Sequence, residues 1–176
     1  EKKKFYYINL PKEFIGFQDF DLENEEHKKA YDYLVNERKI DINLIIKRKI
    51  GACFEGYYGG RIIIPSFDTN GELNYFIGRH FLGGSPTYLA PDKEKDTFIF
   101  NENLINWNHP IFLVEGCFDE LSLPINTIPL TGKKILENLV QKLLIANIPV
   151  FIVLDEGERE SKEANDIKQY LLLRGI

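Results

Sequence analysis

Two groups of acids in this 176-residue chain stand where an apolar run stops. Ile111 to Leu123, IFLVEGCFDELSL, carries four apolar residues into Glu115 and Gly116, and Asp119 follows. Phe151 to Glu158, FIVLDEGE, repeats the design, with Asp155, Glu156 and Glu158 after the apolar run. An uninterrupted apolar run is what a strand buried on both faces needs, and open parallel sheets place ligand chemistry at the carboxyl ends of their strands. Carboxylates crowded there are partly desolvated and repel one another. Two unit charges about 4 Å apart at an effective dielectric near 20 interact by about 4 kcal/mol, enough to shift a pKa or recruit a cation. Mg2+ suits such a place, because it takes a few carboxylates and leaves its other positions to water and substrate phosphates. The chemistry would be phosphoryl or nucleotidyl transfer. Each acid also has an ordinary reading. Glu115 can be a solvated loop residue, Asp119 an early-turn acid favoured by its helix dipole, and Asp155 to Glu158 a cap for the helix behind them.

The elements that would hold these acids follow from the spacing of apolar residues. From Leu22 to Lys39 the positions Ala30, Tyr31, Leu34 and Val35 recur at helical spacing, and Ile42 to Lys49 continues as a second short helix. Gly51 to Gly60, with four glycines, breaks the pattern. RIIIPSF then reads as a strand, Asp68-Thr69-Asn70-Gly71 as a turn, and Leu73 to Phe81 as the returning strand of a hairpin. A loop runs from Gly83 to about Lys95, and Trp107 to Pro110 marks a boundary. Beyond it the rhythm alternates: strands at Ile111–Val114, Thr127–Leu130 and Val150–Leu154, helices at Phe118–Leu123, Ile135–Ala146 and Glu158–Leu173. Such alternation implies a mostly parallel sheet with right-handed crossovers. The last helix should lead into another strand, so the sheet is expected to lack an edge here.

Composition narrows the classes. With 44% hydrophobic residues the chain can bury a core, and a net charge of -5 with a pI near 5.3 argues against a wholly basic nucleic-acid coat while permitting a local cationic groove. Cys53 and Cys117 form no CxxC pair, which disfavours a zinc site or a disulfide framework. No apolar run approaches the roughly 18 to 20 residues of a membrane span, and EKKKFYY lacks the apolar core of a signal peptide. Met is absent even from position 1, so the chain is expected to be an excised fragment or an incomplete chain. Leu130-Thr131-Gly132-Lys133-Lys134 lacks the earlier glycine and the Ser or Thr of a phosphate loop. His27, His80 and His109 have neither metal-ligand nor triad spacing, and are expected to be structural or surface residues. Lys47-Arg48-Lys49 and Lys133-Lys134 read as solvated faces that can also meet a phosphate backbone.

Taken in order, these segments resemble the RNA-polymerase core of bacterial and phage-type DNA primases, built on a Toprim metal-binding domain. VEGCFDELSL resembles the family's first acidic motif and FIVLDEGERESKEA its second. These motifs are shared with other Toprim enzymes, but YLVNERKIDINLIIKRKIG, RIIIPSFDTNGELNYFIGRHF and SPTYLAP occur upstream in the order seen in primases. The resemblance covers about Ala30 to Leu173. It implies an α/β fold in which a Toprim-type mostly parallel sheet flanked by helices, residues 110–176 and truncated at its C-terminal end, follows a smaller α+β subdomain with a β-hairpin, residues 1–109. It implies synthesis of short RNA primers on a single-stranded DNA template from NTPs by nucleotidyl transfer. Glu115 would act at the reacting phosphates, as metal ligand or general acid/base, with Asp119 as the accompanying aspartate. Asp155, with Glu156 or Glu158, would hold Mg2+ or Mn2+, and Arg61, Arg79 and Tyr88 would cradle nucleotide and template.

Two departures from the family pattern bear on these roles. The second motif usually reads Asp-x-Asp, and here the residue two after Asp155 is Gly157, leaving Glu156 and Glu158 at shifted positions. Where primases have Pro-Lys-Tyr this chain has Pro86-Thr87-Tyr88, a lost cation for which Lys93 or Lys95 would compensate. No zinc is expected in this fragment. A separate zinc-binding module and a replicative helicase are the implied partners, no membrane is, and the setting is the cytoplasm of a bacterial cell or phage-infected host. The alternatives are another Toprim enzyme, a nuclease or topoisomerase fragment, and a catalytically inactive Toprim module that binds nucleic acid.

Overall fold

The hairpin expected from RIIIPSF and its return strand lies at the centre of a larger antiparallel sheet. In the computed structural model, which describes residues 8–92, 98–123, 125–130 and 135–176, β1 (Phe14–Gly16), β2 (Gly51–Cys53), β3 (Arg61–Phe67), β4 (Leu73–His80) and β5 (Tyr88–Leu89) pair in that order. Ile62, Ile63 and Ile64 of β3 are all fully buried, so both faces of this strand are covered and its sequence shows no alternation. Pro65 is tolerated there because β2 pairs only with Arg61, Ile62 and Ile63. At β2 the glycine is required by close approach: a Cβ on Gly51 would run into the Ile15 carbonyl oxygen and come within 2.7 Å of the Phe14 ring. Helix α1 (Glu25–Asp32) starts at Asn24, whose side chain accepts the Glu26 and His27 N–H groups, and continues through a π turn at Tyr33–Glu37. Helix α2 (Ile42–Lys47) is capped by Asp41, which accepts the Leu44 N–H at 3.1 Å.

The second sheet is parallel and ordered β7-β6-β8, from β6 (Ile111–Val114), β7 (Thr127–Pro129) and β8 (Val150–Val153). Between and after them run α3 (Cys117–Ser122), α4 (Glu137–Ala146) and α5 (Glu158–Leu173). One face of the sheet forms a core in which Ile111, Leu113 and Ile128 meet Leu139, Val140 and Leu143 of α4 and Ile167 and Leu171 of α5. Each such side chain contributes about 1.5–3 kcal/mol on burial. On β8, Phe151 stacks on Phe112 at 4.8 Å yet remains 48% exposed, and Val153 is 45% exposed. The fold is thus the expected mixed α/β arrangement, a parallel sheet with helices and an antiparallel sheet with a hairpin.

By contacts the chain divides into unit 1, Glu1–Phe67 with Glu72–Lys93, and unit 2, Asp68–Gly71 with Glu94–Ile176. The segment before β6 sides with unit 2 because Ile99 enters its core and the Asn138 side-chain amide donates to the Phe98 carbonyl at 2.5 Å. Among the described residues no helix is long and apolar enough to cross a membrane.

Candidate active site

In unit 2 the parallel ladder decides which acids meet. Val114 of β6 is level with Val153 of β8, so Glu115 and Asp155 both emerge at the same carboxyl edge. Glu115, Asp155 and Glu156 are exposed there. The turn after Glu115 is tight: Gly116 is extended, α3 begins at Cys117, and the Asp119 carboxylate reaches back to accept the Gly116 N–H at 2.8 Å. One oxygen of half-buried Asp119 is therefore engaged in fixing the backbone next to Glu115. Gly157 is extended and α5 starts at Glu158, so the second corner is a looser loop of four residues, Leu154 to Gly157. The side chain of Glu158 lies outside the described residues, as do Lys93, Lys95, Lys133 and Lys134.

Among the described residues no three His, Cys, Asp or Glu side chains gather as a metal-binding group. The donors at this edge are nevertheless of the right chemistry for Mg2+ or Mn2+: hard carboxylate oxygens from two adjacent strand ends, open to solvent, as suits an ion completed by water and substrate phosphate. Sequence reading passed over Glu120, which is only 3% exposed on the inner side of α3 beside Cys117, Phe118 and Leu121. Its place at helical spacing from those residues was the available signal.

Unit 1 carries a separate cluster, the cations and aromatics of the hairpin. Arg79 of β4 and Tyr88 of β5 are cross-strand partners, and the guanidinium carbon stands 4.7 Å from the Tyr88 ring centroid. Burial opposes the Arg79 charge, but the charges and hydrogen-bonding phenols of Tyr88 and Tyr33 outweigh it and hold the guanidinium above its ordinary pKa. Tyr88 is 48% exposed, so the pair offers a cation and a ring face to solvent together. Arg61 behaves differently. It is 6% exposed, Nη1 donates to the Gly59 carbonyl and Nη2 to the Pro86 carbonyl, each at 3.0 Å, and its buried Nε has no partner. The guanidinium that the resemblance assigns to nucleotide is committed to the backbone of two loops.

Of the histidines, His27 stacks on Phe54 at 3.9 Å and accepts the Asp21 N–H through Nδ1 at 3.0 Å. His80, next to Arg79, accepts the Leu82 N–H through Nδ1 at 3.2 Å, and burial, with the Arg61 charge, holds its pKa below the usual histidine value. Lys47 and Lys49 are exposed, the latter with its ammonium 4.8 Å from the Phe67 ring.

No family model matches the chain. A curated relative is the uncharacterized protein MG010 of Mycoplasma genitalium, 27% identical over 164 residues that cover 86% of this chain and 72% of the relative. Among solved structures, the Aquifex aeolicus primase comprising zinc-binding and RNA-polymerase domains superposes with a TM-score of 0.71 at 22% identity, covering 88% of this chain and 49% of that one. A DnaG primase catalytic domain bound to single-stranded DNA superposes with a TM-score of 0.64 at 18% identity, covering 87% of this chain and 63% of that one. The chain thus spans about half the length of the Aquifex protein it matches. Its fold is that of the bacterial primase catalytic core.

Proposed function

We propose that this chain is a primase catalytic core, making short RNA primers on single-stranded DNA from NTPs. The observation that carries the reading is the β6–β8 register, which brings Glu115 and Asp155 to one edge of a parallel sheet within a primase-type fold. Glu115 accepts the proton of the attacking 3′-hydroxyl as the new P–O bond forms and pyrophosphate departs. Asp119 keeps the Glu115 turn fixed through its bond to the Gly116 N–H. Asp155, with Glu156 or Glu158, holds Mg2+ or Mn2+, which when bound neutralises the charge developing on the transferred phosphate. Arg79 meets phosphate oxygens and Tyr88 stacks on a base, the two interactions their chemistry suits. Arg61 shapes the loops around them. Lys93 or Lys95 supplies the cation that Thr87 does not, a zinc-binding module and a helicase act as partners, and the work is done in the cytoplasm.

The test is labelled-nucleotide incorporation on single-stranded DNA, and separately extension of a pre-annealed primer, with Mg2+ or Mn2+, comparing the chain with Glu115→Gln. Products that vanish in Glu115→Gln support the reading. DNA cleavage in place of synthesis would assign a Toprim nuclease. A second reading, a binding module without catalysis, is favoured by the missing Asp-x-Asp at Gly157. It predicts oligonucleotide binding with neither activity, and no thermal shift on adding Mg2+ or Mn2+.

A further inference from the structure

His80 ends β4 with its ring pressed between two loops of unit 1. Gly60, at φ +70, closes the loop before β3, and a Cβ there would lie 3.1 Å from His80 Cε1. Gly84 belongs to the loop between β4 and β5, and a Cβ there would run into His80 Nε2. Both glycines thus let backbone approach the imidazole more closely than any side chain would allow. The ring is also tied from within its own loop. Nδ1 accepts the Leu82 N–H, while the backbone N–H of His80 donates to the Thr87 carbonyl at 2.9 Å. Its cross-strand partner Arg61 holds the carbonyls of Gly59 and Pro86, so the same two loops are bridged twice. What the second loop delivers is Tyr88, the residue after Thr87, against Arg79. Left to itself, a loop containing Gly83 and Gly84 samples many conformations, and ordering it on binding would cost affinity.

We propose that His80 is a positioning residue: accepting from Leu82 and filling the space against Gly84, it holds the 82–87 loop so that Arg79 and Tyr88 stand ready as one platform for a nucleotide or single-stranded template. The inference rests on the reading that this platform docks nucleic acid. It assigns to the platform a support that neither acidic corner requires.

The experiment measures binding of a fluorescein-labelled single-stranded oligothymidine to the full chain, and hydrogen exchange of the Leu82 amide. The variants are Tyr88→Ala, His80→Ala, His80→Asn, His80→Gln and Gly84→Ala, with Gly84→Ala also made in the His80→Ala background. Asparagine places Oδ1 where Nδ1 accepts, whereas the longer glutamine does not. Tyr88→Ala is expected to weaken binding. His80→Ala is expected to weaken it about three- to tenfold, the net worth of one hydrogen bond, and to deprotect Leu82. His80→Asn should restore both readouts and His80→Gln neither. Gly84→Ala should reproduce the His80→Ala loss alone and add little to it in the double variant, because the ring it strikes is gone. Exchange of the β3 amides reports an intact sheet, and if His80→Ala unfolds, the contrast between His80→Asn and His80→Gln still decides. Leu82 deprotection without a binding loss, in a chain where Tyr88→Ala does weaken binding, overturns the role of His80 alone. Unchanged binding in Tyr88→Ala overturns the docking reading and the role together.

Discussion

Arg61→Lys separates a structural arginine from a ligand-binding one. The guanidinium satisfies two carbonyls at 3.0 Å, on Gly59 and on Pro86, in a site 94% removed from solvent. A hydrogen bond from a charged donor is worth about 1.5–3 kcal/mol net. A lysine keeps the charge but carries it on one nitrogen, and it reaches at most one of two carbonyls that the guanidinium fork spans. One charge-assisted bond to a part-buried carbonyl is therefore lost, at a cost of about 2 kcal/mol. In a domain of about 60–100 residues each kcal/mol moves the midpoint by about 4–8 °C, so unit 1 should melt about 10 °C lower. The assay is thermal unfolding followed by near-ultraviolet circular dichroism, which reads the tyrosines around the hairpin, beside oligonucleotide binding on the folded variant. A melting midpoint within about 2 °C of the parent, with binding reduced more than tenfold, would refute the reasoning, because it would mean the guanidinium serves ligand rather than loops.

Three further outcomes follow from the same geometry. Gly51→Ala forces a methyl against the Ile15 carbonyl and the Phe14 ring, and should lower the urea midpoint by the equivalent of about 1–3 kcal/mol, with an unchanged slope. The Cys53 thiol, pushed up to about 12 by burial and then by the Glu13 charge, should resist maleimide at pH 8 in the native chain and react once the chain is denatured. Glu137 accepts from Gln141, Tyr170 and Arg174, and these bonds hold its carboxyl at about 2 against an ordinary 4.5. The folded state therefore binds that proton more weakly than the unfolded one, so the contribution is full above about pH 4.5 and fades as pH falls toward 2. Glu137→Gln should remove that part of the acid dependence from a stability profile.

Much of this was legible in the residues, and the parts that were not share a physical cause. The strand Arg61–Phe67 and the helix Glu158–Leu173 are read from sequence with the bounds they have in the structure, because each is long enough for its apolar residues to declare an environment. Phe14–Gly16, Gly51–Cys53 and Tyr88–Leu89 were not read as strands, since two or three residues hold no period and Gly51 looks like a breaker when its role is to admit a neighbouring backbone. The acids at the ends of β6 and β8 were visible as strand ends. That Val114 lies level with Val153 was not, because register is a property of two segments and only one is written at a time. Arg61 is the same case: its partner at Pro86 is 25 residues away, and nothing local announces it.

The two acidic corners differ in how much chain they have to spare. Glu115 sits between the last rung of β6 at Val114 and the first residue of α3 at Cys117, with Asp119 clasping the turn shut. No residue can be added or removed there without turning α3 on its axis, about 100° per residue, and dragging Phe118 and Leu121 out of the interior. Between Val153 and Glu158 there are four residues where the first corner has two. Losing or gaining one residue in that loop would change which acid follows the end of β8, while the rungs between β6 and β8 need not change register. The second acid therefore has more chain in which to shift than the first, which is locked to the frame that presents it.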